Sequence, residues 1–150
     1  MIRLAAVFIS TLCYGVVFRS PRTALVPAGL TGALAWAGYA ALPTRPVLGV
    51  FLGAALAGLS GEYLARLLRM PALVFTALGV IDLVPGVTAY RAMLAFVEGN
   101  YGQGLALTVQ VVVVGGAIAG GLAVVAVTVR QSLILQRLLS RLAGVRSKET

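Results

Sequence analysis

Five apolar runs of roughly 15 to 25 residues, the length that a bilayer core demands, divide this chain. Short segments rich in arginine, proline and glycine separate them. Because 60% of the residues are hydrophobic and only 11% are charged, the chain has little polar surface to offer water. The sequence therefore predicts an all-α, polytopic membrane protein with five transmembrane helices. The predicted spans cover residues 4–18, 24–42, 47–65, 72–97 and 105–129.

Positive charges are distributed unequally between the two ends of these spans. If all five runs cross the membrane, the loops on one face carry nine basic residues and those on the other carry two. Cytoplasmic loops are enriched in Lys and Arg, so the sequence predicts a protein of the cell inner membrane with its N-terminus outside and its C-terminus in the cytoplasm. The nine are Arg19, Arg22, Arg66, Arg69, Arg130, Arg137, Arg141, Arg146 and Lys148, and the two are Arg3 and Arg45.

A cleavable signal peptide is the alternative interpretation of the first run. No small-x-small cleavage site follows that run, and arginines placed directly after it, Arg19 and Arg22, oppose translocation. We therefore expect the first run to remain as a span.

The composition changes after the fifth run. Residues 130–150 carry five positive charges and one negative charge. On a helix the first three arginines of this segment align on one face, and Leu135, Leu139 and Leu142 fall on another. This pattern predicts a transmembrane domain over residues 1–129 and a basic amphipathic tail over residues 130–150 that lies along the anionic cytoplasmic leaflet. A solvated topology anchor is the alternative.

The reactive side chains of the sequence exclude whole classes of chemistry. There is no His and a single Cys, Cys13, and the acidic residues are Glu62, Asp82, Glu98 and Glu149. Metal catalysis and Ser-His-Asp chemistry need residues that this set lacks. We expect no enzyme activity, no metal and no cofactor. We also expect no nucleic-acid partner, because the basic residues flank spans instead of forming a basic domain with interleaved aromatics.

Small residues recur at every fourth position in three of the spans. This spacing makes a smooth stripe on a helix, and inside lipid such stripes let backbones approach closely. It predicts packing between the spans or against a partner. The stripes are Gly29, Ala33 and Ala37 in the second span, Gly49, Gly53, Ala57 and Gly61 in the third, and Gly116 and Gly120 in the fifth.

The fourth run is interrupted near its midpoint by Pro85 and Gly86. Proline removes a backbone donor, and irregular backbone inside a membrane is tolerated where it is buried in protein or faces a water-filled cavity. Broken helices of this kind form the substrate sites of many secondary transporters. The run therefore predicts a substrate or ion pathway, with a purely structural proline kink as the alternative. The predicted pathway residues are Asp82, Pro85, Gly86, Thr88, Tyr90 and Arg91.

An aspartate in the middle of the bilayer costs about 2.5–3.5 kcal/mol on insertion scales, so Asp82 needs a compensating interaction. Nine residues separate it from Arg91, which places the two on opposite faces of a straight helix. A direct pair would require the break to turn one half of the run. The alternative is that Asp82 holds a proton, which would suit a proton-coupling group.

The residues of this run, RMPALVFTALGVIDLVPGVTAYRAM, resemble the threonine/serine exporter family, in particular its short-subunit branch. The resemblance implies a half-transporter that joins a larger partner subunit to export small hydrophilic metabolites, namely threonine and serine or dicarboxylates such as succinate. In that family a proline commonly stands at the position of Asp82, so no family role is transferred to this residue. The residues that carry the resemblance are Pro71, Val74, Phe75, Val84, Pro85, Gly86 and Tyr90.

The sequence predicts a small subunit of a secondary exporter driven by an ion gradient. Two other functions remain open at this point. One is an assembly subunit that stabilises a partner and contributes no substrate contact. The other is a homo-oligomeric channel, because five spans alone make a thin bundle that rarely encloses a pathway.

Overall fold

The structure, a computed structural model, describes residues 2–146, with side chains through residue 131. Every regular element in this described part is helical, which confirms the all-α prediction. A 3₁₀ turn, Ile81–Leu83, separates the fourth and fifth α-helices. The helices are α1 (Ile2–Val17), α2 (Arg22–Ala40), α3 (Pro46–Leu68), α4 (Ala72–Val80), α5 (Gly86–Val97) and α6 (Tyr101–Arg146).

Length and composition qualify part of this set as membrane spans. Helix α3 and the segment Tyr101–Gln131 of α6 are each long and apolar enough to cross a bilayer, and the bent pair 72–83 and 86–97 qualifies when counted as one span. Helix α1 is apolar but has only 16 residues. The described part of the chain therefore has two helices, or three with the bent pair, that could cross a membrane.

Helix α6 continues past residue 129, the predicted domain boundary, to Arg146 without a break. The side chains beyond residue 131 and the structure of residues 147–150 lie outside the described part. The amphipathic character of the tail therefore stays a prediction.

Helices α1, α3 and α5 end in the same way. One or two residues past the last residue of each helix, the backbone has a positive φ. The values are 53° at Arg19, 53° at Arg69 and 79° at Gly99. The next N–H donates to a carbonyl five residues back, which is the bond of a Schellman motif. These bonds turn the chain sharply, so that consecutive helices pack as neighbours. They run from Ser20 to Gly15 at 2.9 Å, from Met70 to Ala65 at 3.0 Å and from Asn100 to Ala95 at 2.8 Å.

Helix α3 lies at the centre and packs against α2, α4 and α6 through small residues. A Cβ added to Gly53 would lie 2.5 Å from the carbonyl oxygen of Ala35 in α2. A Cβ added to Gly61 would lie 2.6 Å from the hydroxyl of Thr76 in α4. The small-residue stripe of α3 thus faces the chain's own helices, with Gly49 and Ala57 also buried.

The stripes predicted in α2 and α6 lie differently. In α2, Gly29 is buried, but Ala33 is half-buried and Ala37 exposed. In α6, nothing lies within 4 Å of a Cβ added to Gly116, and one added to Gly120 would lie 3.5 Å from Phe51. The close approach between α6 and α3 is made at Gly121, which is buried. A Cβ added there would lie 2.5 Å from the carbonyl oxygen of Phe51, because this face of α6 packs against α3.

Four hydroxyl side chains in the helices donate hydrogen bonds to backbone carbonyls of their own helix. Thr31, Ser60, Thr76 and Thr108 each donate to a carbonyl one turn back in their own helix, at 2.7–3.1 Å. Among the side chains that the structure describes, no buried nitrogen or oxygen lacks a hydrogen-bond partner. An environment without water requires buried polar groups to be paired within the protein. Ser10 and Thr11 of α1 differ, because both contact a second segment of the chain.

Candidate functional site

The break between α4 and α5 is built from three consecutive departures from helix geometry. The chain tightens into the 3₁₀ turn, becomes extended at Val84 (φ −67°, ψ 129°) and restarts after Pro85. In a continuous helix the N–H of Gly86 would donate to the carbonyl of Asp82. Here it donates to the carbonyl of Val84 at 2.8 Å. The two halves are bent by 54°, and the Asp82 carbonyl loses its helical partner.

Asp82 is held by two hydroxyls of α1. The Ser10 hydroxyl donates to Oδ1 at 2.9 Å, and the Thr11 Oγ1 lies 3.0 Å from Oδ2. Asp82 is half-buried, whereas Thr11 is completely buried. Arg91, on α5, is exposed. The interaction that compensates for this aspartate in the described structure therefore comes from α1 and not from the arginine.

A cavity of about 360 Å³ opens beside Asp82, between α2, α3, the break and α6. This volume lies at the small end of the range for sites that bind small molecules, about 300–1,000 Å³. Apolar side chains form most of its wall. The groups with polar atoms are Asp82, Gln110, Tyr39 and Trp36.

The two aromatic residues of the cavity form one unit. The rings of Trp36 and Tyr39 in α2 have centroids 5.2 Å apart and are tilted by 52°. Both residues, with Pro46, also line a second cavity of about 290 Å³ that is bordered by Arg3. The aromatic pair therefore separates the cavity of Asp82 from one near the N-terminal end of α1.

The break also faces an apolar groove. Pro85, Gly86 and Ala89 line it together with residues of α6 around Gly115, and its volume is about 420 Å³. No heavy atom lies within 4 Å of a Cβ added to Gly86 or Gly115. The break is thus polar on the side of Asp82 and apolar on the side of Gly86.

The predicted pathway residues lie in three places: the cavity beside Asp82, the apolar groove and the surface of α5. Asp82 and Pro85 line the 360 Å³ cavity, and Gly86 lies in the apolar groove. Thr88 is half-buried on α5, and Tyr90 and Arg91 are exposed on the same helix, one to two turns beyond the break. The structure therefore brings Asp82 and Pro85 together and leaves the α5 residues away from the lining of this cavity.

Sequence reasoning did not single out Ser10, Thr11, Trp36 or Tyr39. A signal for the first two was present, because two adjacent hydroxyl residues interrupt the otherwise apolar run of α1. Nothing in the sequence said which of the other helices they would face. The aromatic pair has the i, i+3 spacing of a single helix face, which is equally typical of ordinary packing.

Comparison with known families decides the class of protein. The family model described as "Threonine/Serine exporter, ThrE" matches residues 3–128. This chain belongs to the threonine/serine exporter family. The match covers α1 to α5 and the apolar part of α6, and so includes both the broken helix and the two hydroxyls that hold Asp82. No curated protein and no solved structure gave a significant match.

Family membership confirms the resemblance to this family seen in the sequence. The family is one of transport proteins, and the apolar helices of this chain are typical of a membrane-integral protein. Within the described residues no group of three or more Cys, Asp or Glu side chains could hold a metal ion. The side chains that line the cavity offer hydrogen-bond donors and acceptors and a carboxyl group.

Proposed function

We propose that this exporter is the small membrane subunit of a secondary transporter that moves small hydrophilic metabolites out of the cell together with a larger partner subunit. The substrate class is threonine and serine or small dicarboxylates such as succinate. The observation that carries the proposal is the cavity beside Asp82, placed where the fourth span is broken. A cavity with few polar groups at a broken helix is the arrangement that secondary transporters use to bind a substrate near the bilayer centre.

The proposal includes five crossings of the inner membrane, with the N-terminus outside and the C-terminus in the cytoplasm. The bent pair is the critical crossing. Its two halves of 12 residues each, inclined to one another by 54°, extend about 30 Å along a common direction by helical rise, which equals the hydrocarbon thickness. The bend therefore does not prevent a full crossing.

Transport would proceed by alternating access around the break. The extended backbone at Val84 and the restart at Pro85 make a joint between α4 and α5. In this mechanism α5 moves relative to α4 and carries Thr88, Tyr90 and Arg91 with it, while Asp82 stays beside the cavity. The residues of α5 then contribute polarity to the pathway in a second conformation.

The exposure of α6 supports a partner subunit or further copies of the chain. Only 11% of the apolar segment of α6 is buried, against 39% of α3. This segment, Tyr101–Gln131, therefore offers most of its surface to other molecules. Because the chain's own helices cover the cavity incompletely, a companion on this side would complete the pathway.

Co-expression tests the two-subunit arrangement. We expect a transport-deficient strain to export preloaded threonine or succinate when it produces this chain together with a larger membrane protein encoded by an adjacent reading frame. Each protein alone should give only background efflux, because neither half encloses a pathway. The measurement is the rate of appearance of labelled substrate outside the cells.

Export by this chain alone, at the rate of the pair, would contradict the two-subunit proposal and favour a homo-oligomer. Normal assembly of the pair without export of either substrate class would contradict the transport proposal. Membrane insertion is verified in each case by the amount of the chain recovered from the membrane fraction.

A further inference from the structure

The cavity beside Asp82 offers an acidic group and no basic one. Among the described residues that line it, Asp82 is the only acidic residue, and no Lys or Arg is present. The other polar groups are the amide of Gln110, the indole of Trp36 and the phenol of Tyr39, which are neutral. A charged ligand in this cavity therefore finds a counter-ion only if the ligand is a cation.

The carboxyl group of Asp82 keeps free positions for hydrogen-bond donors. A carboxylate has about four such positions, two on each oxygen. The Ser10 hydroxyl donates to Oδ1 at 2.9 Å, and Thr11 Oγ1 lies 3.0 Å from Oδ2. These contacts occupy one position on each oxygen and bring no positive charge. A primary ammonium group has N–H donors for the remaining positions and supplies the counter-charge as well.

We propose that this cavity binds small primary amines that carry no carboxylate of their own, with the ammonium group on Asp82 and the carbon body against the apolar wall. Val50, Leu83 and Val113 belong to that wall. The inference rests on the proposed function and names the ligands that its cavity prefers. Amines and amino alcohols bind more tightly than zwitterionic amino acids, and dicarboxylates are rejected.

The total charge in the cavity gives this order. With Asp82 ionised, a bound amine makes the cavity neutral, a zwitterionic amino acid leaves one negative charge, and a dicarboxylate adds two more. A charge taken out of water without a partner is costly. The neutral donors of Gln110, Trp36 and Tyr39 can form hydrogen bonds to a carboxylate of the ligand, but they do not neutralise it. An amine is therefore the one ligand of the three that leaves no uncompensated charge.

The aromatic pair of α2 adds a further attraction for cations. Trp36 and Tyr39 both line the cavity, and their ring centroids are 5.2 Å apart. The faces of aromatic rings are negative and attract ammonium groups, most strongly in Trp. The nearest described basic residue that borders this pair is Arg3, which lines the neighbouring cavity and not this one. The aromatic wall thus favours the same kind of ligand as Asp82.

Threonine and two compounds that each lack one of its charged groups test the proposal on the native exporter. Isopropanolamine is threonine without the carboxylate, and β-hydroxybutyrate is threonine without the ammonium group. We expect isothermal titration calorimetry of the complete exporter in lipid nanodiscs to give isopropanolamine a Kd about tenfold or more below that of threonine. β-Hydroxybutyrate and succinate should release no binding heat at about a hundredfold higher concentration.

These titrations need no variant, so they decide the question even where a substitution disturbs folding. Threonine binding as tightly as isopropanolamine overturns the proposal, because the carboxylate would then be recognised. Binding of succinate in the same concentration range overturns it too, and so does an absence of binding by the amine.

The substitution Asp82→Asn tests the residue that pairs with the ammonium group. Asparagine has nearly the same size and keeps an oxygen for the Ser10 hydroxyl, so the melting temperature should stay close to that of the native protein. We expect the Kd of isopropanolamine to rise about tenfold or more. The matched control is Glu98→Gln, which removes an exposed carboxyl group outside the cavity and should leave the Kd unchanged. An unchanged Kd in Asp82→Asn overturns the proposal.

The contribution of the aromatic wall is measured separately. Trp36→Leu should raise the Kd of isopropanolamine about threefold or more, and Trp36→Phe should recover part of this loss, because phenylalanine keeps an aromatic face. Equal affinity in the leucine and phenylalanine variants contradicts the aromatic part of the site.

Export by the same preparation in proteoliposomes separates this inference from the proposed function. If isopropanolamine binds as expected but the exporter moves neither the amine nor threonine nor succinate, the exporter function is refuted and the amine site stands. If threonine or succinate is exported and the amine does not bind, the exporter function stands and the amine site is refuted.

Discussion

Replacing Gly53 with leucine is expected to abolish the folded state of the chain. A Cβ at this position would lie 2.5 Å from the carbonyl oxygen of Ala35 and 3.1 Å from the side chain of Leu83. The first obstacle is backbone, so α2 and α3 would have to separate. Overpacking of this kind costs about 1–3 kcal/mol for a few methylenes, and a whole leucine against backbone lies at or beyond that limit. We expect loss of the monodisperse species in detergent, measured by size-exclusion chromatography.

The matched control is Gly116→Leu. Both substitutions replace a glycine of a predicted stripe inside a helix, so the change in helix propensity is the same. At Gly116 a Cβ meets no heavy atom within 4 Å. The control should therefore elute and melt like the native chain. Similar behaviour of the two variants would mean that α2 and α3 do not pack in the manner described.

Replacing Pro85 with alanine is expected to reduce export by about tenfold or more. Alanine restores a backbone N–H that can donate to the carbonyl of Ile81, which now accepts a 3.3 Å bond from Val84. A continuous helix would remove the 54° bend and move Asp82 relative to the cavity. The measurement is the efflux rate of the assembled exporter, normalised to the amount in the membrane.

Pro27 in α2 provides the control for this substitution. Unlike Pro85, which precedes α5, Pro27 lies inside a helix, because α2 continues through it from Arg22 to Ala40. Pro27→Ala should leave the efflux rate unchanged. If Pro85→Ala exports at the native rate, the broken helix is only an architectural feature, and the pathway must be sought elsewhere.

The positions of the helices could be predicted from the sequence because apolar length determines them. The predicted spans 47–65 and 72–97 differ from α3 and from the α4–α5 pair by at most three residues at either end. The break at Pro85 was equally accessible, since proline and glycine act on the backbone locally. The short α1 shows the limit of this approach, because its length alone does not establish a crossing.

The partners of Asp82 could not be predicted, because they depend on which helices become neighbours. The sequence analysis considered Arg91, nine residues away, and protonation. Ser10, which donates to this carboxyl group, is 72 residues distant in the sequence. Helical periodicity specifies the face on which a residue lies but not the segment that the face meets. The same reason explains why no heavy atom lies near Gly116, whereas Gly121 makes the close contact of α6 with α3.

The central claim is that the bent pair crosses the whole membrane, so that its break lies beside a cavity within the bilayer. Single cysteines at Met70 and Asn100, the turns that precede and follow the pair, test it most directly in a Cys13→Ala background. A membrane-impermeant maleimide applied to intact cells should label Asn100→Cys and should label Met70→Cys only after permeabilisation. Labelling of both positions from the same side would contradict the account, because the segment would then be a re-entrant loop.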